Sequence, residues 1–289
     1  MIKKARSLEE AKKNLRDDHY TVIDVDKHGY VALKGLYGHD GTPAEVARLT
    51  SSSEDKEIEN LTRYLLRERH TTPFEFIDMD FEIACPIFVE RQWIRHRTAN
   101  TNEMSARYSE LPCEIWEIPE DRIVGIPKGP GANRQGSGDL LPEENRIAIR
   151  KIFEESQQRS VEEYKKLIEL GLTLELARVV LPFGVYTRKE WKMDMHNLLH
   201  FIQLRTDSHA QKEIQNYANA VAFLVKENFP IIYKAFENYR LNAISFSEYE
   251  IELLGKLVAG FDFETLDMSK LSKTEQRRFK EKYERIRSK

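Results

Sequence analysis

The sequence predicts an α+β fold in which a mixed or antiparallel sheet packs against a helical half, followed by a helical C-terminal extension. Three observations carry that expectation. Ile77, Met79, Phe81, Ile83 and Cys85 alternate with Asp78, Asp80 and Glu82, the period-two pattern of a strand with one apolar and one acidic face. From Pro142 onward the chain reads as mainly helical. No internal repeat is present, and 289 residues are ample for one core in one or two domains.

The remaining elements follow in order. Within Tyr20–Leu36, Val22, Ile23, Val25, Val31 and Leu33 flank Gly29 and read as two short strands joined by a turn. Pro43 opens a short helix through Val46 and Leu49, and Ser53 suits the cap of the next. In that helix Ile58, Leu61 and Leu65 fall at helical spacing as far as His70. Pro86 ends the alternating strand and suits the first turn of a helix carrying Val89, Gln92, Trp93 and His96, on which Gln92 and Arg95 share a face. Glu114–Ile118 reads as a strand, and the Gly- and Pro-rich run 124–141 as a mobile loop. One long helix ends at Gly171 and another follows Thr173. Thr187 with Glu190 makes a capping-box pattern for a helix reaching about Arg205, and Ser208 with Gln211 repeats the device. Phe246–Leu257 and the basic tail Lys270–Lys289 read as further helices, so residues 1–240 are expected to form the catalytic unit and 241–289 an extension.

Composition narrows the class. A net charge of −3 gives no global sign of nucleic-acid binding. The basic tail lacks the stacking aromatics or zinc-finger spacing of a nucleic-acid reader and is expected to be a solvated helix. Cys85 and Cys113 cannot build a disulfide framework and fit a reducing compartment. No run has the length of a signal peptide core or a membrane span, so a soluble, cytoplasmic protein without membrane contact is expected.

The densest chemistry lies in Arg95–Ser109, RHRTANTNEMSARYS. It combines Arg95, Arg97 and Arg107 with His96, Glu103, Ser105 and Ser109. Arginine forks and short hydroxyls suit a phosphorylated, planar ligand. The spacing R-H-R, seven residues, S resembles the signature of the flavin-dependent thymidylate synthases. Neighbouring segments are similar to that family as well: His70-Thr71-Thr72-Pro73-Phe74-Glu75, Pro86–Val89 running into Arg91-Gln92-Trp93, Ala177–Pro182, Tyr186-Thr187-Arg188 and Leu204–Gln211. The likeness runs in order over roughly Gly29–Pro230.

The resemblance implies conversion of dUMP to dTMP, with 5,10-methylenetetrahydrofolate as carbon donor, reduced FAD as hydride donor and NADPH as reductant. It also implies a homotetramer whose active sites combine residues of more than one subunit. Carried over residue by residue, Gln92, Arg95, Glu103, Met104, Ser105, Ala106, Arg107, Arg178 and Arg205 match dUMP positions, with Ser105 and Arg107 at the phosphate. Arg205 matches the residue that ionises N3 of the uracil and is the expected catalytic group. His70, Thr72, Arg95, His96, Arg97, Glu103, Asp194, Met195, His196 and His200 match FAD positions. Asn100, Asp194, His196 and His200 depart from the residues frequent in relatives, and a carboxylate at Asp194 would repel a flavin pyrophosphate if it pointed that way.

Rival readings attach to the same residues. His196 and His200, at i and i+4, could share a metal ion with Asp194 or His209, although no metal is expected. Ser105 could be a nucleophile but has no evident adjacent base. Pro112-Cys113 faintly resembles the Pro-Cys site of the cysteine-dependent thymidylate synthases, yet nothing nearby marks a low-pKa thiol. Arg178 could pair with Glu175 on one helix face, whereas Arg205 and Asp207, two apart, would not face each other.

Overall fold

The computed structural model describes residues 6–50, 57–128, 138–269, 271 and 273–288. Five strands form one sheet: β1 (Thr21–Asp24), β2 (Tyr30–Tyr37), β3 (Asp78–Pro86), β4 (Asn100–Glu103) and β5 (Tyr186–Asp194). Their order is β1-β2-β3-β5-β4 and every neighbouring pair is antiparallel. β3 and β5 pair over nine residues, from Asp78 opposite Asp194 to Pro86 opposite Tyr186. The β1–β2 turn needs Gly29, because a Cβ there would lie 1.9 Å from the Tyr217 hydroxyl.

Helix α1 (Leu8–Asp17), capped by the Ser7 hydroxyl, lays Leu8 and Leu15 on Tyr30, Ala32, Ala84 and Tyr186 of one sheet face. The other face carries Val31, Met79, Phe81, Ile83, Trp191 and Met193 into the main core. Six helices cover it: α2 (Thr42–Arg48), α3 (Ile58–Arg67), α4 (Ile87–Trp93), α7 (Met195–Arg205), α8 (Lys212–Asn228) and α9 (Pro230–Phe236). Each large apolar side chain buried there contributes roughly 1.5–3 kcal/mol. The long α5 (Glu143–Glu169) and one-turn α6 (Leu174–Ala177) close a smaller core around Tyr164, Leu111 and Val185. Gly171, at φ +91°, supplies the left-handed stop after α5. α10 (Glu248–Val258) and α11 (Lys273–Arg287) share a cluster of their own, centred on Leu253, Leu266 and Phe279. No helix among the described residues is long and apolar enough to cross a membrane.

Several local expectations are corrected. Thr187 and Glu190 lie within strand β5, and α7 begins only at Met195, capped by Asp194. The period-two pattern of β5 was masked because one inward position is Lys189. Ser208 caps nothing; α8 starts at Lys212 after Gln211. Residues 114–118 contribute a single bridge, Ile115 to Val185, rather than a strand. Ser53 lies outside the described residues, as does 129–137 of the Gly-rich run; α3 itself starts at Ile58 after Glu57.

Candidate active site

Trp93 anchors the site from below. Its ring centroid lies 4.8 Å from that of Phe201, 5.2 Å from Trp191 and 6.0 Å from Tyr217, tying α4 to β5, α7 and α8. Such aromatic pairs add about 0.5–1.5 kcal/mol each beyond their burial. α4 stops at Trp93, a turn short of the helix expected to reach His96, because the chain must reverse to run as β4 along the outer edge of β5. Gln92 and Arg95 therefore do not share a helical face.

The turn after Trp93 delivers Arg95, His96 and Arg97 to an open cleft of about 590 Å³, which Asn197, His200, Leu204 and Arg205 of α7 line from the other side. Arg205 is the hinge of this arrangement. Its Nε donates to His96 Nε2 at 3.0 Å and its Nη2 to the Gln92 carbonyl at 2.9 Å. Burial lowers the Arg205 pKa from the usual guanidinium range, but an arginine stays charged at any working pH. Burial first, then the charges of Arg205 and His200, push His96 down to about 4. His96 is thus a neutral imidazole at pH 7, its Nε2 lone pair facing the guanidinium. The Asp207 pairing considered for Arg205 is absent; Asp207 holds His209 instead, at 2.7 Å.

A second group of expected nucleotide residues is assembled around Glu175. The Glu175 carboxylate takes Arg107 Nη2 at 3.2 Å, while its carbonyl takes Arg178 Nε at 3.3 Å. Ser105 Oγ accepts the Arg107 N–H at 3.3 Å. Ser105, Arg107 and Arg178 do not line the cleft that holds Arg205. Met104 and Ala106, half-buried, pack on the Tyr164 core. Glu103, on edge strand β4, is fixed from β5, accepting the Thr187 hydroxyl at 2.6 Å.

The flavin positions divide similarly. His70 is exposed after α3 with its ring 5.9 Å from that of Tyr64, and Thr72 opens a short turn packed against α2 and α7. The Asp194 carboxylate is occupied in capping α7: it accepts the Asn197 N–H at 3.0 Å and the Asn197 side-chain amide at 2.7 Å. The carboxylate is thereby directed at the start of α7. Met195 is fully buried, its N–H bonded to the Ile77 carbonyl, and His196 is half-buried on the first turn of α7. With Asp194 engaged and His209 paired to Asp207, both further ligands suggested for a His196–His200 metal site have other partners. Among the described residues no group of three or more His, Cys, Asp or Glu side chains is placed to hold a metal ion.

The sequence pattern does not single out Asn197, and it assigns Leu204, Glu175 and Thr187 no place in the site. Asn197, His200 and Leu204 recur at i, i+3 and i+7, so the helical face would have disclosed the first two had α7 been started at Met195. Gln211, whose Oε1 accepts the Gln92 amide at 2.5 Å, was quoted only as part of a motif. Cys113 is buried at φ +61° with its thiol donating to the Leu111 carbonyl at 3.3 Å, and burial pushes it up to about 11. Burial raises Cys85 too. Neither offers a thiolate near neutral pH.

A model of the thymidylate synthase complementing protein family matches residues 21–231. The flavin-dependent thymidylate synthase of Ruegeria pomeroyi is 40% identical over 269 residues, covering 91% of this chain and 88% of that protein. The chain belongs to the flavin-dependent thymidylate synthases. Another member, from Wolbachia pipientis wMel, is 39% identical over 84% of each chain. Among solved structures, a UMP/dUMP methylase PolB from Streptomyces cacaoi bound with 5-Br dUMP aligns with TM-score 0.66 and 29% identity, over 74% of this chain and 96% of its own. The activity of the flavin-dependent thymidylate synthase family is a methyl transfer that yields dTMP.

Proposed function

We propose that the chain makes dTMP from dUMP with 5,10-methylenetetrahydrofolate, FAD and NADPH, as a cytoplasmic homotetramer whose sites draw on more than one subunit. Residues 1–240 form the catalytic unit, and 241–289 a helical, basic extension. The observation that carries this reading is Arg205, half-buried and hydrogen-bonded to neutral His96 in a cleft flanked by Arg95 and Arg97. That donor set fits a flavin dinucleotide: two exposed guanidinium groups suit its phosphates, and the Asn197 amide and neutral His96 offer uncharged partners to a heterocycle. When bound and reduced by NADPH, FAD supplies the hydride.

The chain's own residues supply electrostatics and position. Arg205 sits against N3 and O2 of the uracil and stabilises the charge that develops on the ring. Because His96 accepts from Arg205 without adding a second charge, the guanidinium is oriented without repulsion. Ser105, Arg107 and Arg178 bind the phosphate, and Gln92, Arg95 and Glu103 the nucleoside, with Met104 and Ala106 in the intervening loop. His70, Thr72, Arg95 to Arg97, Glu103, Asp194 to His196 and His200 surround the flavin, Asp194 by capping α7 beneath it. Separation of the Arg107–Arg178 group from the Arg205 cleft supports sites completed between subunits. Neither cysteine takes part.

Flavin binding tests the reading. The purified protein should retain or take up FAD, and dUMP should perturb the flavin absorbance; a protein that binds no flavin contradicts it. Mixing inactive Arg205→Ala and Arg107→Ala subunits should restore activity if the two groups meet across an interface, and no restoration contradicts shared sites.

A further inference from the structure

The inward face of β5 presents Thr187, Lys189, Trp191 and Met193 to the main core. Lys189 is the anomaly, at 3% exposure in an otherwise apolar setting. Its ammonium is salt-bridged to Glu90 of α4, itself 5% exposed, and lies 4.4 Å from the Trp93 ring centre. Replacing a buried ion pair by packed apolar residues is often neutral or stabilising, so stability alone is a weak reason for this one. Its location suggests another. Lys189 stands directly opposite Glu103 in the β4–β5 register, and Thr187, the next inward residue, donates to the Glu103 carboxylate. Register partners point to the same face of a sheet, so Lys189 and the exposed Glu103 of edge strand β4 lie side by side on one face. Burial raises the Glu90 pKa against the pull of Lys189, while Glu103 acts on Glu90 as a further negative charge. Lys189 is thus ion-paired with Glu90 and shares a sheet face with Glu103.

We propose that Lys189, held from below by Glu90, is a positioning residue that sets the Glu103 carboxylate at the nucleotide site. The pair fixes α4, which leads into the R-H-R turn, to the strand that backs Glu103. One buried contact thereby couples both halves of the signature. This rests on the reading of Glu103 as a dUMP-binding residue.

The test is a double-mutant cycle read by calorimetry of dUMP binding to the flavin-loaded protein. Lys189→Met/Glu90→Met removes both charges and keeps an apolar core; if it does not fold, the amide pair Lys189→Gln/Glu90→Gln takes its place. The expected result is a folded protein with dUMP affinity weakened about tenfold or more, and little further loss when the same change is made on Glu103→Gln. Unchanged affinity, or an equal loss added on the Glu103→Gln background, overturns the proposal and leaves the pair a tie between α4 and β5. Failure of the unsubstituted protein to bind dUMP would overturn the functional reading instead.

Discussion

β3 and β5 are neighbours paired over nine residues, yet they answer to different demands. The inward side of β3 is wholly apolar, with Met79, Phe81, Ile83 and Cys85 all buried. The corresponding side of β5 begins with Thr187 and Lys189 and turns apolar only at Trp191 and Met193. The polar end is the end against which β4 carries Glu103; from the apolar end the chain passes to α7 and Arg205. β3 is thus a strand for cohesion, while β5 combines cohesion with support of the site. Substitutions should separate accordingly, into effects on stability and effects on turnover.

The sharpest separation is expected at Arg205. Arg205→Ala should lower kcat by about 1000-fold or more, the order of losing a preorganised stabiliser of developing charge, while FAD stays bound. Loss of the flavin would instead make Arg205 a cofactor residue. Phe81→Ala should do the converse, costing about 3–5 kcal/mol in denaturant unfolding with the folded fraction retaining its kcat/KM. A selective loss of turnover would erase the distinction between the strands.

A smaller effect concerns acid. His96 is held at about 4 in the fold and titrates near 6.5 when unfolded, so between these values the unfolded chain binds more protons. The cost is absent above about pH 6.5, grows as pH falls and is complete below about 4. Allowing for its partial exposure, the loss should be about 1–2 kcal/mol, and His96→Gln should flatten that part of the stability–pH profile. An unchanged profile would place the imidazole in a wetter setting. The smallest effect is expected at Cys113, on neither strand. Cys113→Ala should leave kcat/KM essentially intact, and a folded but inactive variant would revive a thiolate mechanism.

The same two strands show how far the sequence could be read. β3 was legible because its alternation is unbroken. β5 was not, since Lys189 interrupts the apolar pattern and Thr187 with Glu190 mimics a helix cap. The R-H-R signature was readable as a motif, but the helix before it ended early and Asn100–Glu103 became an edge strand. The Arg205–His96 bond joins residues 109 positions apart, beyond any local pattern. The capping role of Asp194 is recognisable only once the helix start is known.

Formation of dTMP by the purified protein tests the central claim most directly, with dUMP, 5,10-methylenetetrahydrofolate and NADPH supplied and FAD either added or withheld. FAD-dependent dTMP is the predicted result. No dTMP with FAD present, or equal dTMP from flavin-free protein without it, would contradict the account.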